Sequence, residues 1–158
     1  MLEPLQIGTP LPEMQAETAA GRWTTVQAHL GPKQTLIYFL HGTWCPECIG
    51  QFHLLQRYLP RIQDARAKLV VVTGEESDPL WAFLQSTQPP LQYTVLADPK
   101  HSASHAIQAG DDTIAIIVDN QGVVRWFERW AGHQEEPGYG IILQALRDVQ
   151  DAGEPNND

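Results

Sequence analysis

The chain carries two cysteines in 158 residues, Cys45 and Cys48, with Pro46 and Glu47 between them. A disulfide scaffold needs several bridges between distant segments, and this pair closes almost no loop, so it would barely constrain the unfolded chain. A reactive dithiol is the better reading. At the start of a helix, Cys45 would meet backbone N–H groups that lack intrahelical partners and the positive end of the helix dipole, and both favour a thiolate. Three-residue spacing puts Cys48 on the same face, within reach of a disulfide. The expected roles are a nucleophile at Cys45 and a resolving thiol at Cys48, which releases the mixed disulfide formed by attack on a target. A bare C-x-x-C is also half of a zinc site. Here no second cysteine pair exists, so zinc would have to recruit histidines from elsewhere. His101 and His105 stand at i,i+4, but Ser102 occupies the place where a metalloprotease helix needs glutamate. No metal and no organic cofactor is expected.

Several residues flank the pair. Trp44 precedes the nucleophile and could shield it and meet partner proteins, as aromatics do at interfaces, or be a half-buried aromatic. Glu47 sets a negative charge beside Cys45, which would raise its pKa, unless water screens the effect away. His41, four residues before Cys45, could exchange protons with the pair or simply end a strand. Trp126 and Trp130 alternate with Arg125 and Arg129, as a partner face or as an edge strand under the last helix. His101 and His105 read as surface groups, and Glu75-Glu76 and Glu135-Glu136 as solvated loops.

The elements that must position the dithiol follow from hydrophobic pattern. Gln6–Thr25 is an irregular lead-in with extended pieces around Met14 and Trp23–Val26. Thr35–Leu40 is almost wholly apolar, as in a strand buried on both faces. After Gly42-Thr43-Trp44, the residues Ile49, Phe52, Leu55, Leu59 and Ile62 recur at helical spacing, with Pro60 expected to kink or divide that helix. Lys68–Thr73 is a second buried strand. Asp78-Pro79 reads as a capped helix start, and the helix stops before Pro89-Pro90. Tyr93–Leu96 is a third strand, and Asp98-Pro99 opens a helix to about Ala109. Thr113–Val118 and Val123–Trp130 form a hairpin about Asn120-Gln121-Gly122. Gly140–Gln150 is an amphipathic helix, and a polar tail follows from Asp151 to Asp158. The order β–α–β–α–β–α–β–β–α predicts an α/β domain spanning residues 1–150, with a mixed sheet flanked by helices.

Composition narrows the function. The net charge is −9, from 10 Lys+Arg against 19 Asp+Glu, which disfavours nucleic acid and anionic membrane surfaces as partners. Met1-Leu2-Glu3-Pro4 has no basic start and no following apolar run, so a secretory signal is not expected and a cytoplasmic location is.

The run Tyr38-Phe39-Leu40-His41-Gly42-Thr43-Trp44-Cys45-Pro46-Glu47-Cys48 resembles the thioredoxin-like superfamily, and more narrowly the peroxiredoxin-like subgroup of the alkyl hydroperoxide reductase / thiol-specific antioxidant (AhpC/TSA) domains with a WCxxC motif. Gly8-Thr9-Pro10-Leu11-Pro12, Leu69–Thr73, Val95-Leu96-Ala97-Asp98-Pro99 and Val118-Asp119-Asn120-Gln121-Gly122 are similar to other segments of that family, over about residues 7–132. The resemblance implies a thioredoxin fold with an extra N-terminal extended region and one inserted βα segment. The peroxiredoxin pattern Pro-x-x-x-Thr-x-x-Cys, aligned on Cys48, sets His41 at the Pro and Cys45 at the Thr. The thioredoxin cis-proline position falls on Thr113. The expected activity is a thiol–disulfide oxidoreductase acting on protein disulfides or small thiols, served by an upstream thiol reductant. The alternatives are a peroxidase that reduces hydroperoxides through a cysteine sulfenic acid, and a non-catalytic redox sensor or binding module.

Overall fold

The computed structural model describes residues 5–131 and 138–153. Along them run β1 (Gln15–Thr18), β2 (Trp23–Thr25), a 3-10 turn (Val26–His29), β3 (Gln34–Leu40), α1 (Pro46–Asp64), β4 (Ala67–Thr73), α2 (Ser77–Ser86), β5 (Thr94–Ala97), α3 (Ser102–Ala106), β6 (Thr113–Asp119), β7 (Val124–Trp130) and α4 (Tyr139–Gly153). The strands form one sheet in the order β2-β1-β5-β4-β3-β6-β7. β3 pairs in parallel with β4, β4 in parallel with β5, and β6 runs antiparallel to both β3 and β7. This is the expected thioredoxin fold: the β3-α1-β4 and β6-β7-α4 halves, with β5 and α3 inserted.

All seven residues of β3 are buried, and the pleat divides them between two cores. Leu36, Tyr38 and Leu40 join the core beneath α1 and α4, where Phe52, Leu55, Leu59, Ile142 and Leu146 also lie. Ile37 and Phe39 join the opposite core with Ile107, Ile114 and Ile116. Each of the larger apolar side chains contributes about 1.5–3 kcal/mol by leaving water, so a strand filled on both faces is a firm base for the loop that follows it. Trp130 is buried in the first core and Trp126 packs against it, while Arg125 pairs with Asp119 and Arg129 with Asp112. The alternating Trp and Arg residues thus lie on an edge strand beneath α4.

Several boundaries depart from expectation for local reasons. The lead-in is a true hairpin, with β1 and β2 antiparallel and β1 added antiparallel to β5 at the sheet edge. α1 runs through Pro60 as one helix instead of dividing. Glu76, not Asp78, is the N-cap of α2, without a side-chain hydrogen bond, and Asp78 and Pro79 fall inside the first turn. Pro79 is tolerated there because first-turn N–H groups have no intrahelical acceptor. α3 starts at Ser102 instead of Asp98-Pro99. Even so, the Asp98 carboxylate accepts from Ala103 N–H at 3.1 Å and Ser104 N–H at 3.0 Å, so it caps the helix from upstream. The helix ends at Ala106, ahead of Gln108 and Gly110, whose positive φ values (53° and 56°) end helical geometry. α4 reaches Gly153, so Asp151–Gly153 are helical and not tail. Glu135-Glu136 and His133 lie outside the described residues. No described helix is long and apolar enough to cross a membrane.

Candidate active site

Parallel pairing of β3 with β4 in the register Leu40↔Thr73 sets the C-terminal ends of the two strands side by side. In α/β sheets ligand chemistry collects at such ends, and here the loop Gly42-Thr43-Trp44 leaves β3 to enter α1. Cys45 is the N-cap of α1 with extended backbone (φ −95°, ψ 118°), and Pro46 occupies the first turn, where its fixed φ suits a helix start. Cys48 lies one turn on. Its backbone N–H donates to Cys45 Sγ at 3.4 Å, and Cys45 Sγ donates to Glu47 Oε2 at 3.4 Å. Both thiols are free and buried, with Cys45 1% and Cys48 2% exposed. The two sulfurs and one ring nitrogen of His41 all lie within 4.8 Å of one another.

The helix N-terminus does reach Cys45, through the Cys48 N–H, but it does not make the thiol acidic. Burial pushes the Cys45 thiol up to about 11, reinforced by hydrogen bonding with the Cys48 thiol and with Glu47, and the Cys48 N–H offsets only part of this. The expected thiolate at neutral pH is therefore corrected: desolvation outweighs the dipole, because Cys45 is almost wholly buried.

His41 ends β3. Its Nε2 lies 2.7 Å from the Asp111 carbonyl; a carbonyl only accepts, so Nε2 carries the proton. The ring stacks on Trp44 at 6.1 Å between centroids and 15° between planes. Trp44 is 67% exposed and lies across Gly42, where a Cβ would come 2.7 Å from indole Cδ1. Only glycine leaves room for that indole. Beside His41 and Trp44 opens a cleft of about 620 Å³, also lined by His101, His105 and Asp111. Thr113 is buried at the start of β6, opposite Trp130 in the register with β7. Among the described residues it makes no hydrogen bond to either sulfur. The fold thus brings Cys45, Cys48, Glu47, His41 and Trp44 together and leaves Thr113 in the sheet.

Two sets of residues escaped the sequence reading. Glu75 is not a solvated loop residue but is 9% exposed. Its carboxylate accepts from Thr43 N–H at 2.9 Å, Thr43 Oγ1 at 2.6 Å and Thr73 Oγ1 at 2.6 Å, which ties the dithiol loop to the end of β4. The signal available was the parallel βαβ unit, whose second strand must exit beside the first. Below the dithiol, Tyr38 lies in the core with Cys45, Cys48 and Tyr139. Burial first, then Tyr139 and Cys48, pushes its phenol far above the usual range, so it stays neutral. Tyr139 in turn stacks on Tyr58 at 4.8 Å and donates to Gln51 Oε1, so α4 closes over α1.

A thioredoxin-type sheet with paired thiols at the mouth of its first long helix defines a class, the thiol oxidoreductases of thioredoxin fold. Comparison with known proteins narrows it. Residues 7–127 match the AhpC/TSA family, so the chain belongs to that family and with it to the peroxiredoxin-like antioxidant oxidoreductases. Among solved structures, a yeast mitochondrial 1-Cys peroxiredoxin superposes with TM-score 0.79 at 13% identity, covering 98% of this chain and 83% of that one. The reduced 2-Cys peroxiredoxin of Plasmodium vivax gives 0.78 at 16% identity, covering 96% and 88%. A peroxiredoxin-like protein from Aquifex aeolicus gives 0.78 at 17% identity, covering 92% and 88%. At these identities the likeness concerns the fold. No curated protein matches the chain in sequence.

Proposed function

We propose that the protein cycles Cys45 and Cys48 between dithiol and disulfide, delivering two electrons to an oxidised substrate and recovering them from an upstream thiol reductant. One observation carries this: both sulfurs, with no other cysteine in the chain, share a space 4.8 Å across at the start of α1. A disulfide of ~2.05 Å needs a short approach of the two sulfurs and no refolding of α1. With a disulfide substrate, one deprotonated cysteine attacks a sulfur and expels the first substrate thiolate. The second cysteine then attacks the mixed disulfide and expels the other. Membership of the AhpC/TSA family supports a second route to the same bond. There a cysteine thiolate attacks a hydroperoxide oxygen, the alcohol or water leaves, and the resulting sulfenic acid condenses with the other thiol, releasing water.

Trp44, exposed and held by a stack, is the movable cover in this reading, and Glu75 fixes the loop beneath it. Its net charge of −9 makes nucleic acid and anionic membrane surfaces poor partners.

The test compares hydroperoxide consumption and disulfide reduction by wild type, Cys45→Ser and Cys48→Ser. Mixed disulfides trapped by Cys45 alone support exchange with Cys45 attacking. Single-turnover peroxide loss by Cys48 alone supports the peroxidase route. A wild-type chain that oxidises to no internal disulfide under either substrate overturns the proposal.

A further inference from the structure

We propose that Cys45, Cys48 and His41 form a binding site for Zn2+ in the reduced protein, and that disulfide formation abolishes it. Among the described residues this is the one group of three or more His, Cys, Asp or Glu side chains placed to hold a metal. The donor set, two sulfurs and one imidazole, is what a thiophilic d10 cation selects over hard ions that prefer oxygen. The histidine that a lone C-x-x-C lacks is supplied from four residues upstream, by the end of β3.

Geometry supports closure onto an ion. Zn–S bonds of ~2.3 Å and Zn–N bonds of ~2.0–2.1 Å set tetrahedral donors ~3.5–3.8 Å apart. The donors, within 4.8 Å of one another, need to contract by at most about 1.3 Å. The His41 ring is already oriented. Its Nε2–H donates to the Asp111 carbonyl, the kind of outer-shell bond that metal-bound histidines commonly make. Stacking on Trp44 fixes the ring plane. A solvent molecule would complete the tetrahedron.

Charge supports it too. Two thiolates and Zn2+ sum to zero, so a nearly buried pocket accepts the complex at a lower desolvation cost than it accepts either thiolate alone. Binding forms two Zn–S bonds and one Zn–N bond, releases two thiol protons to solvent and moves no electrons. Oxidation by a substrate disulfide or hydroperoxide takes two electrons from the sulfurs, joins them, and frees the cation. This inference rests on the nearness of the sulfurs stated above, and not on which substrate oxidises them.

The experiment uses the full chain, reduced and metal-free, titrated with Zn2+ against a chromophoric chelator and with Co2+ as a spectroscopic probe. Expected are one ion per reduced chain, sulfur-to-cobalt charge-transfer absorption, and no binding by the oxidised chain, Cys45→Ser or Cys48→Ser. His41→Ala should weaken Zn2+ at least about tenfold and alter the Co2+ visible bands. A folded His41→Ala chain of unchanged affinity, or an oxidised wild type that keeps its ion, overturns the proposal, as does the absence of stoichiometric binding by reduced wild type. Release of Zn2+ from wild type on oxidation needs no variant and tests the same claim. Disulfide cycling measured in chelator is scored separately: cycling without zinc binding sinks only this site, and zinc binding without cycling sinks only the proposed function.

Discussion

Removing the Glu75 side chain tests how the dithiol loop is held. Glu75→Ala deletes one carboxylate that receives three hydrogen bonds, two from Thr43 and one from Thr73. A hydrogen bond to a charged group contributes about 1.5–3 kcal/mol, but three bonds to one shared acceptor do not add, and water reaches part of the vacated space. The expected loss is about 3 kcal/mol. For a chain of this size that lowers Tm by about 6–12 °C. Glu75→Gln should cost less, about 1 kcal/mol. Its amide oxygen in the Oε2 place still accepts from Thr43 N–H and Thr73 Oγ1, and its NH2 in the Oε1 place can donate to Thr43 Oγ1, so charge alone is lost. Urea unfolding of the reduced protein gives the stabilities. Alkylation of Cys45 and Cys48 under native conditions reports opening of the loop itself, and should accelerate in the order wild type, Gln, Ala. An Ala variant that loses under about 1 kcal/mol and labels at the wild-type rate would show that the loop is held by something other than this carboxylate.

Other expectations follow from the same geometry. Trp44→Ala removes a stack worth about 0.5–1.5 kcal/mol and should raise the native alkylation rate of the cysteines roughly two- to tenfold while lowering global stability by no more than that stack; an unchanged rate would mean the indole is no cover. Because the Cys45 thiol sits at about 11 when folded and at about 9 when unfolded, the unfolded chain loses this proton first. The Cys45 contribution to stability should therefore be level below pH 9 and fall between 9 and 11, so that the loss across this range is smaller in Cys45→Ser by urea titration, the buried Tyr38 and Tyr93 phenols supplying what remains. Glu47→Gln, which removes a carboxylate accepting from that thiol, should move the pH profile of Cys45 alkylation downward. At the hairpin, burial alone would raise the Asp119 carboxyl, but hydrogen bonds from Val123 and Gln121 N–H and from Arg125 outweigh it and hold the group below its usual range. The stability it confers is present above its unfolded value and is lost as pH falls through the folded one. Asp119→Ala should cost about 1–3 kcal/mol at neutral pH and flatten that acid dependence.

The middle of the sheet was legible because β3, β4, β5 and β6 are largely apolar runs of four to seven residues, and because β–α alternation leaves few topologies open. Cys45 and Cys48 were legible because spacing along a helix is local information. What escaped was decided by contacts between distant segments. Asp98 looks like an N-cap next to Pro99, yet it caps from four residues before Ser102. Glu75 looks solvated beside Glu76, until the strand register carries it to Thr43. The acidity of Cys45 likewise turns on burial in the folded chain, which no motif encodes.

β3 has paired neighbours along both edges and filled cores on both faces, and the reactive loop begins where it ends. Its amide protons should be among the slowest of the molecule to exchange with deuterated solvent, while those of residues 42–44 exchange much sooner. In the proposed cycle, oxidation and reduction of the sulfurs would rearrange only the short span between a stiff rod and a helix start. The end that would react could then move again and again while the frame that returns it to place stayed unchanged.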